Sequence, residues 1–291
     1  MTRVAVVGLG TMGLPMARNL LAAGHDVVGV DRDAERTREL GGASAATPAE
    51  AAATAEIAIL SLPSPEAVEE VVLGSQGLRA GAPPGFAVVD MSTSRPALAR
   101  SLAAELAGAN VDWLDAPVSG GPRGAEGASL TIMVGGSRET FERWRSLLEE
   151  LGSLVVRVGD AGAGQAAKLC NNLVAGATMA ALAEACALAV HEGIEPAILY
   201  DLLTRSTGDS RVLRTRFPLG GVDAEHPASR AYEPLFALDL MAKDLDLALE
   251  LADAHGVGAP VARAGRASYA EAQRQGLGRL DYSAVYTARS R

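Results

Sequence analysis

The first 160 or so residues alternate two kinds of hydrophobic pattern. Short apolar runs, the mark of strands buried on both faces, are separated by stretches with apolar residues at helical spacing. The run 3–7 (Arg-Val-Ala-Val-Val) predicts a strand, 14–21 a helix ended by Gly24, and 25–31 a second strand. Further strands are predicted at 57–63, 86–93 and 112–118, with a helix over 65–73 and a turn over 119–125. Two last strands, 129–134 and 154–158, flank a helix near 138–151. At Gly159 the pattern changes, and beyond Gly164 no run reads as a strand. Residues 165–192 form one long helical pattern, punctuated by Gly193, Ile194, Glu195 and Pro196, and helices follow near 196–204, 236–255 and 260–275. The chain therefore divides into an α/β domain, 1–162, and an all-helical domain, 163–291, joined by a long interdomain helix.

The first strand and helix are linked by Gly8-Leu9-Gly10-Thr11-Met12-Gly13. A GxGxxG alone is a weak signal in a chain with 32 glycines. Strand, glycine turn, helix, strand and a terminal acid, Asp31, within about 30 residues are far more specific. The first glycine permits the tight turn, the second lets backbone approach a pyrophosphate, and the third lets helix and strand pack closely. The helix N-terminus then faces the phosphates. These features predict a Rossmann-type doubly wound sheet and a dinucleotide cofactor. Asp31 is placed to accept hydrogen bonds from the adenine-side ribose and would repel a 2′-phosphate, which favours NAD over NADP. Arg32 and Arg36 leave NADP possible. Ligands of open parallel sheets bind beyond the carboxyl ends of the strands, so Leu62, Pro63 and Thr93 are candidates to line the cofactor.

Composition narrows the setting. The chain has 291 residues, 48 % hydrophobic and 21 % charged, with a net charge of −9. The acidic balance and an aromatic content of 4 % argue against nucleic acid or an anionic membrane as partner. Cys170 and Cys186 lie on one predicted helix, about 24 Å apart at ~1.5 Å per residue, so they cannot bridge within it and read as small buried hydrophobes in a reducing compartment. No run of about 18 uncharged apolar residues suggests a membrane span, and Gly8 and Gly10 interrupt any signal-like N-terminus. A cytoplasmic location is expected. The four histidines show no metal-ligand spacing and read as ordinary surface or helix-end residues, and no metal is expected.

Of the 26 Lys and Arg residues only Lys168 and Lys243 are lysine. Arginine does not give up its proton in a protein, whereas a lysine amine can. Lys168 follows Gly162-Ala163-Gly164-Gln165 at the start of the long helix, and Asn171 and Asn172 follow at i+3 and i+4 on its face. This arrangement suits a general acid and base: the ammonium would protonate a carbonyl oxygen during reduction, and the amine would take a hydroxyl proton during oxidation. The second role needs desolvation to bring the amine down from its ordinary pKa of about 10.4. Ser119-Gly120-Gly121 offers a hydroxyl and backbone N–H groups to an anion such as a carboxylate.

Four motifs in order resemble the β-hydroxyacid dehydrogenase family, which includes 3-hydroxyisobutyrate dehydrogenase and tartronate semialdehyde reductase. They are the glycine turn running through Leu14-Pro15-Met16-Ala17, Asp115-Ala116-Pro117-Val118-Ser119-Gly120-Gly121, the segment from Gly162 to Asn172, and Lys243-Asp244-Leu245-Asp246-Leu247-Ala248-Leu249. The resemblance implies an NAD(P)-dependent enzyme acting on a short β-hydroxy acid or its semialdehyde, working as a homodimer or homotetramer. It implies Lys168 as acid/base, Asn172 on the substrate hydroxyl, Ser119, Gly120 and Gly121 on the carboxylate, and Thr93 and Lys243 near the reactive end of the cofactor. Phe236 and Asp244 match positions that close the site.

Two alternatives stand beside this reading. Imine reductases share the scaffold but usually replace the lysine, so Lys168 counts against that activity. A non-catalytic dinucleotide-binding module would not need Lys168 and Asn172. Residues 205–235 fit the resemblance less well. Arg205, Arg211, Arg214, Arg216 and Arg230 could meet a larger anionic substrate or form solvated ion pairs.

Overall fold

A computed structural model describes residues 1–288. Among these, the strands are β1 (Arg3–Val7), β2 (Asp26–Val30), β3 (Ala43–Ser44), β4 (Ile57–Leu60), β5 (Ala87–Asp90), β6 (Asp112–Asp115), β7 (Val118–Ser119), β8 (Thr131–Gly136) and β9 (Leu154–Gly159). The helices interleaved with them are α1 (Gly13–Ala22), α2 (Ala34–Leu40), α3 (Pro48–Ala52), α4 (Pro65–Leu73), α5 (Leu78–Gly81), α6 (Pro96–Ala107), α7 (Gly121–Glu126) and α8 (Arg138–Glu149). Then come α9 (Ala163–His191), α10 (Pro196–Thr204), α11 (Arg211–Arg216), α12 (Leu238–Ala254) and α13 (Pro260–Arg274).

The strands form one sheet in the order β3-β2-β1-β4-β5-β6-β8-β7, with β9 pairing β8. Pairing is parallel from β3 through β6, antiparallel at β6–β8 and β7–β8, and parallel again at β8–β9. Alternate residues of each strand go to opposite faces. Val4, Val6, Ile57, Ile59, Val89 and Leu114 enter one core. Ala5, Val7, Ala58, Leu60, Val88 and Trp113 enter the other. With both faces covered, these strands read as continuous apolar runs rather than alternating ones.

Packing explains two glycines of the opening turn. A Cβ on Gly13 would lie 1.8 Å from the Gly8 carbonyl oxygen, and one on Gly8 would lie 2.3 Å from the Ser61 carbonyl oxygen. Gly8 also has φ +91, the left-handed region that glycine adopts without strain. Gly10 differs, because a Cβ there would meet no atom of the chain within 4 Å.

Several elements depart from the sequence expectation. The strand predicted over 112–118 is two strands, broken at Ala116-Pro117, and β7 turns to pair antiparallel with β8. Proline has no N–H for a ladder, which makes the break. The turn predicted after Ser119 is helix α7 from Gly121, with Pro122 in its first turn where no intrahelical donor is needed.

The chain divides into two compact units, Met1–Lys168 and a second from Leu169 onward. Helix α9 crosses the division. In the second unit it contributes Met179, Leu182, Ala183 and Cys186 to a core shared with Leu213, Phe217, Met241, Leu245 and Tyr269. Close packing is visible at Gly176, where a Cβ would lie 3.0 Å from Leu245 and Met241 side-chain atoms, and the Tyr269 hydroxyl donates to the Gly176 carbonyl at 3.0 Å. As expected, α9 holds no run of 18 uncharged apolar residues, because Lys168 and Glu184 interrupt it. By length and composition alone the helix is nevertheless long and apolar enough to cross a membrane. Its apolar residues include those of the core just described.

Gly13→Ala should lower stability by about 2 kcal/mol or more, since overpacking against backbone has little room to relax. Gly10→Ala should stay within about 0.5 kcal/mol of the parent. Thermal unfolding of the two variants side by side checks the distinction.

Candidate active site

The turn after β1 carries the first part of the site. The Leu9 side chain is fully buried in the core, so Leu9 reaches the site only through its backbone, and Met12 packs partly against the same core. The Leu9 N–H donates to Asp31 Oδ2 at 2.7 Å, and the Asp33 N–H donates to Asp31 Oδ1 at 2.9 Å. The Asp31 carboxylate is thereby fixed at the end of β2. Arg32 is exposed, and Arg36 pairs with Glu39 at 3.4 Å. A cleft of about 440 Å³ opens beside the turn, lined by Gly10, Thr11, Leu14, Pro15, Arg18 and Arg36 among others. These residues fit a dinucleotide. Gly8 and Gly13 are required by protein atoms, whereas the missing side chain at Gly10 leaves open space where backbone can meet a phosphate.

The next strands extend this rim. Leu62 and Pro63 lie just past β4, and Thr93 just past β5, at the same carboxyl ends of the sheet. The Leu62 N–H donates to Ser92 Oγ at 2.9 Å, and the Ser92 N–H donates to Asp90 Oδ1 at 3.0 Å. These bonds tie the two loops together beneath Thr93.

Lys168 is 7 % exposed and donates from Nζ to the Val118 carbonyl at 2.7 Å. Val118 immediately precedes Ser119-Gly120-Gly121. Gly120 and Gly121 have φ +140 and +64, so two successive residues require the freedom of glycine. The amine is thus held at the strand end that opens into the candidate carboxylate-binding turn. One group that sequence reasoning did not single out, Asp115, holds the start of the same helix, α9. Asp115 accepts from the Gly162 N–H at 2.7 Å and the Gln165 N–H at 2.9 Å. Burial raises the Asp115 carboxyl above its ordinary pKa, opposed by the backbone N–H groups that bond it. The signal was present: an acid between Leu114 and Ala116, at the end of an apolar strand, has to find partners indoors.

In the second unit, Asn172 is 4 % exposed and both polar atoms of its amide are engaged. Its Nδ2 donates to Asp244 Oδ2 at 2.5 Å, and its Oδ1 accepts from Asn171 Nδ2 at 2.9 Å. Lys243 Nζ lies 3.2 Å from Asp244 Oδ1. Asp239 and Asp246, at helical spacing from Lys243, accept from Gln273 and Arg266 respectively. Phe236 is half-buried in edge contact with Tyr282, its N–H donating to buried Asp281.

The arginine-rich segment resolves largely into internal pairs. Arg214 bonds Asp209, Arg230 bonds Glu225, and Arg216 lies 3.5 Å from Asp281 and over the Tyr282 ring. Two smaller expectations are corrected. Cys186 is buried, with its thiol pushed up to about 12 by desolvation, but Cys170 is exposed. His226 is not a surface residue. It is buried, with Nε2 2.9 Å from the Arg214 carbonyl oxygen, because the segment folds over it. Among the described residues no group of three or more His, Cys, Asp or Glu is placed to hold a metal ion.

Residues 3–159 match the NAD binding domain of 6-phosphogluconate dehydrogenase, and residues 162–288 match the NAD-binding domain of NADP-dependent 3-hydroxyisobutyrate dehydrogenase. The chain is 40 % identical to a 3-hydroxyisobutyrate dehydrogenase of Pseudomonas aeruginosa, over 98 % of this chain and 97 % of that protein. The structure of a 3-hydroxyisobutyrate dehydrogenase of Mycobacterium tuberculosis with L-serine is similar at TM-score 0.92 and 37 % identity, with both chains covered completely. An imine reductase from Pseudomonas sp., at 23 % identity and TM-score 0.65 over 99 % of both chains, shares the fold. With its nucleotide-binding turn intact and such relatives matched from end to end, the chain belongs to the β-hydroxyacid dehydrogenase family of NAD(P)-dependent oxidoreductases acting on CH–OH groups.

Proposed function

We propose that this enzyme interconverts a short β-hydroxy acid of the 3-hydroxyisobutyrate type and its semialdehyde, with Lys168 as general acid and base. The observation that carries the reading is the placement of a scarce amine. Lys168 is buried and bonded to the Val118 carbonyl at 2.7 Å, one residue before the Ser119-Gly120-Gly121 turn. NAD supplies the hydride acceptor in oxidation, and its reduced form the donor in reduction. In oxidation the Lys168 amine takes the hydroxyl proton of the substrate, and in reduction the ammonium returns a proton to the carbonyl oxygen. Ser119 and the backbone of Gly120 and Gly121 hold the substrate carboxylate. Asn172, one turn beyond Lys168 on α9, offers its amide to the hydroxyl, and Asp244 and Asn171 fix the direction of that amide. The roles of Phe236 toward substrate, and of Thr93 and Lys243 toward cofactor, rest on the family resemblance.

NAD is the preferred cofactor in this proposal. The Asp31 carboxylate, anchored by two backbone N–H groups, stands where a 2′-phosphate would have to go. A reducing, cytoplasmic setting accords with the free thiols of Cys170 and Cys186. A homo-oligomer is supported by apolar side chains left open on the second unit. Val174 and Leu188 of α9 are 62 % and 68 % exposed, and Ile198 and Leu202 of α10 are 56 % and 58 % exposed.

Lys168→Ala should lower kcat with 3-hydroxyisobutyrate by about 10²- to 10⁴-fold while the NADH Kd changes little, since proton transfer is lost and cofactor contacts are kept. Near-normal turnover would sink the acid/base assignment. Asp31→Asn keeps shape and removes charge. It should weaken NAD binding by about 10-fold or more and narrow the preference over NADP, read from titrations of both cofactors. Light scattering of the purified chain should give a multiple of 29.8 kDa, and a monomer mass would remove the oligomer from the proposal.

A further inference from the structure

We infer that Asp115 and Gln165 are positioning residues for Lys168: together they clamp the first turn of α9 to the ends of β5 and β6 and so set where the amine stands. The inference rests on Lys168 being the acid/base. The first N–H groups of a helix have no partners within it, and a negative charge there is favoured by the helix dipole. Asp115, fully buried at the end of β6, meets that need with both oxygens, Oδ1 on the Gly162 N–H and Oδ2 on the Gln165 N–H. The Gln165 side chain, also fully buried, completes the clamp from the helix side. Its Oε1 accepts from the Ser94 N–H at 2.8 Å, and its Nε2 donates to the Ser92 carbonyl at 2.9 Å and to Asp90 Oδ2 at 3.4 Å. The start of α9 is thereby held against two neighbouring strand ends at once.

Lys168 lies three residues after Gln165 on the helix, and Val118, which receives its Nζ, lies three residues after Asp115 on the strand side. One buried carboxylate therefore joins the two segments that determine the position of the amine. The joint has little slack. A Cβ on Gly164 would come within 2.4 Å of the Asp115 and Met133 carbonyl oxygens. A Cβ on Gly135 would come within 2.7 Å of both Asp115 carboxylate oxygens and of the Gly164 nitrogen. Glycine at both places lets strand, carboxylate and helix start occupy one small volume. Keeping a carboxylate there has a cost, since burial opposes its ionisation. A cap serving stability alone could be an exposed Ser or Thr. Here the cap is rigid and internal, as a part that fixes a reacting group has to be.

The test uses the full-length enzyme with 3-hydroxyisobutyrate and NAD, in the variants Asp115→Asn and Gln165→Met, each also combined with Lys168→Ala. Misplacing a reacting group by ~1 Å can cost up to about 10²-fold. Each single variant is therefore expected to lose about 10- to 100-fold in kcat, with the NADH Kd and substrate KM held within about 2-fold. The kinetic isotope effect for substrate deuterated at the hydroxyl carbon should rise as chemistry becomes rate-limiting. On the Lys168→Ala background the same substitutions should cost less than about 2-fold, because a displaced amine matters only when the amine is present. Losses that multiply in the double variants, a kcat within 2-fold of the parent, or two single variants that fail to fold would each overturn the proposal in favour of a purely structural cap. Near-normal turnover of Lys168→Ala alone would instead overturn the acid/base reading, whatever Asp115→Asn does.

Discussion

The first unit depends on one buried charge meeting one helix end. A helix that begins inside a protein must satisfy N–H groups that water cannot reach. Asp115 does this for α9 with a carboxylate that is itself out of water. Neither group could be buried alone at tolerable cost, and each is the other's partner. The sequence around them follows from that demand. Gly162, with φ +88, turns the chain into the helix, and Gly164 and Gly135 give up side chains so that the partners can meet. Gln165 uses the remaining polar capacity of the loop after β5. Lys168 comes one turn later, where a helix with a fixed start can carry a side chain to a fixed place.

The nucleotide-binding turn shows the complementary case, in which the demand comes from outside the chain. Gly8 and Gly13 would be glycine even in a protein that bound nothing, because a Cβ at either position would strike backbone. Gly10 has no such reason within the chain. The three glycines of one motif thus separate into two that the fold requires and one beside open space, which the proposed function assigns to the cofactor. Asp31 belongs with the ligand, although it is anchored by the fold. Its two backbone bonds hold the carboxylate at the strand end, and in the proposed function that geometry would let a single acid bear on the choice between NAD and NADP.

Much of this was legible in the sequence, for identifiable reasons. Strands buried on both faces announce themselves as apolar runs, and β1, β2, β4 and β5 fell within the predicted spans. Lys168 stood out because lysine is scarce in a chain that otherwise uses arginine for positive charge, and its catalytic role is part of the proposed function. The break at Ala116-Pro117 was not, because a proline between apolar residues is locally compatible with an edge strand, and only the antiparallel pairing of β7 with β8 decides against it. The clamp was not legible either. Asp115 and Gln165 are 50 positions apart and have no shared motif spacing, so their partnership exists only once β6 and α9 are in place. His226 was misread for a similar reason: its burial depends on the segment around it folding over.

Asn172 shows how far such long-range placement reaches into the chemistry. By spacing alone it is a polar residue one turn past Lys168, able to aim its amide anywhere. In the structure both ends of that amide are held, Nδ2 by Asp244 and Oδ1 by Asn171. Asp244 is in turn within 3.2 Å of Lys243, the second of the two lysines. The late motif Lys243-Asp244 therefore has a physical task within its own unit, independent of any contact its lysine makes with cofactor. It holds the asparagine by a charge-assisted hydrogen bond, stronger and more directional than a neutral one. In the proposed reaction, a side chain fixed in this way would lose little freedom on binding, so more of the interaction would go into orienting the substrate. The same logic governs Lys168 and its carbonyl partner: in both places the sequence spends buried polar groups to fix a direction.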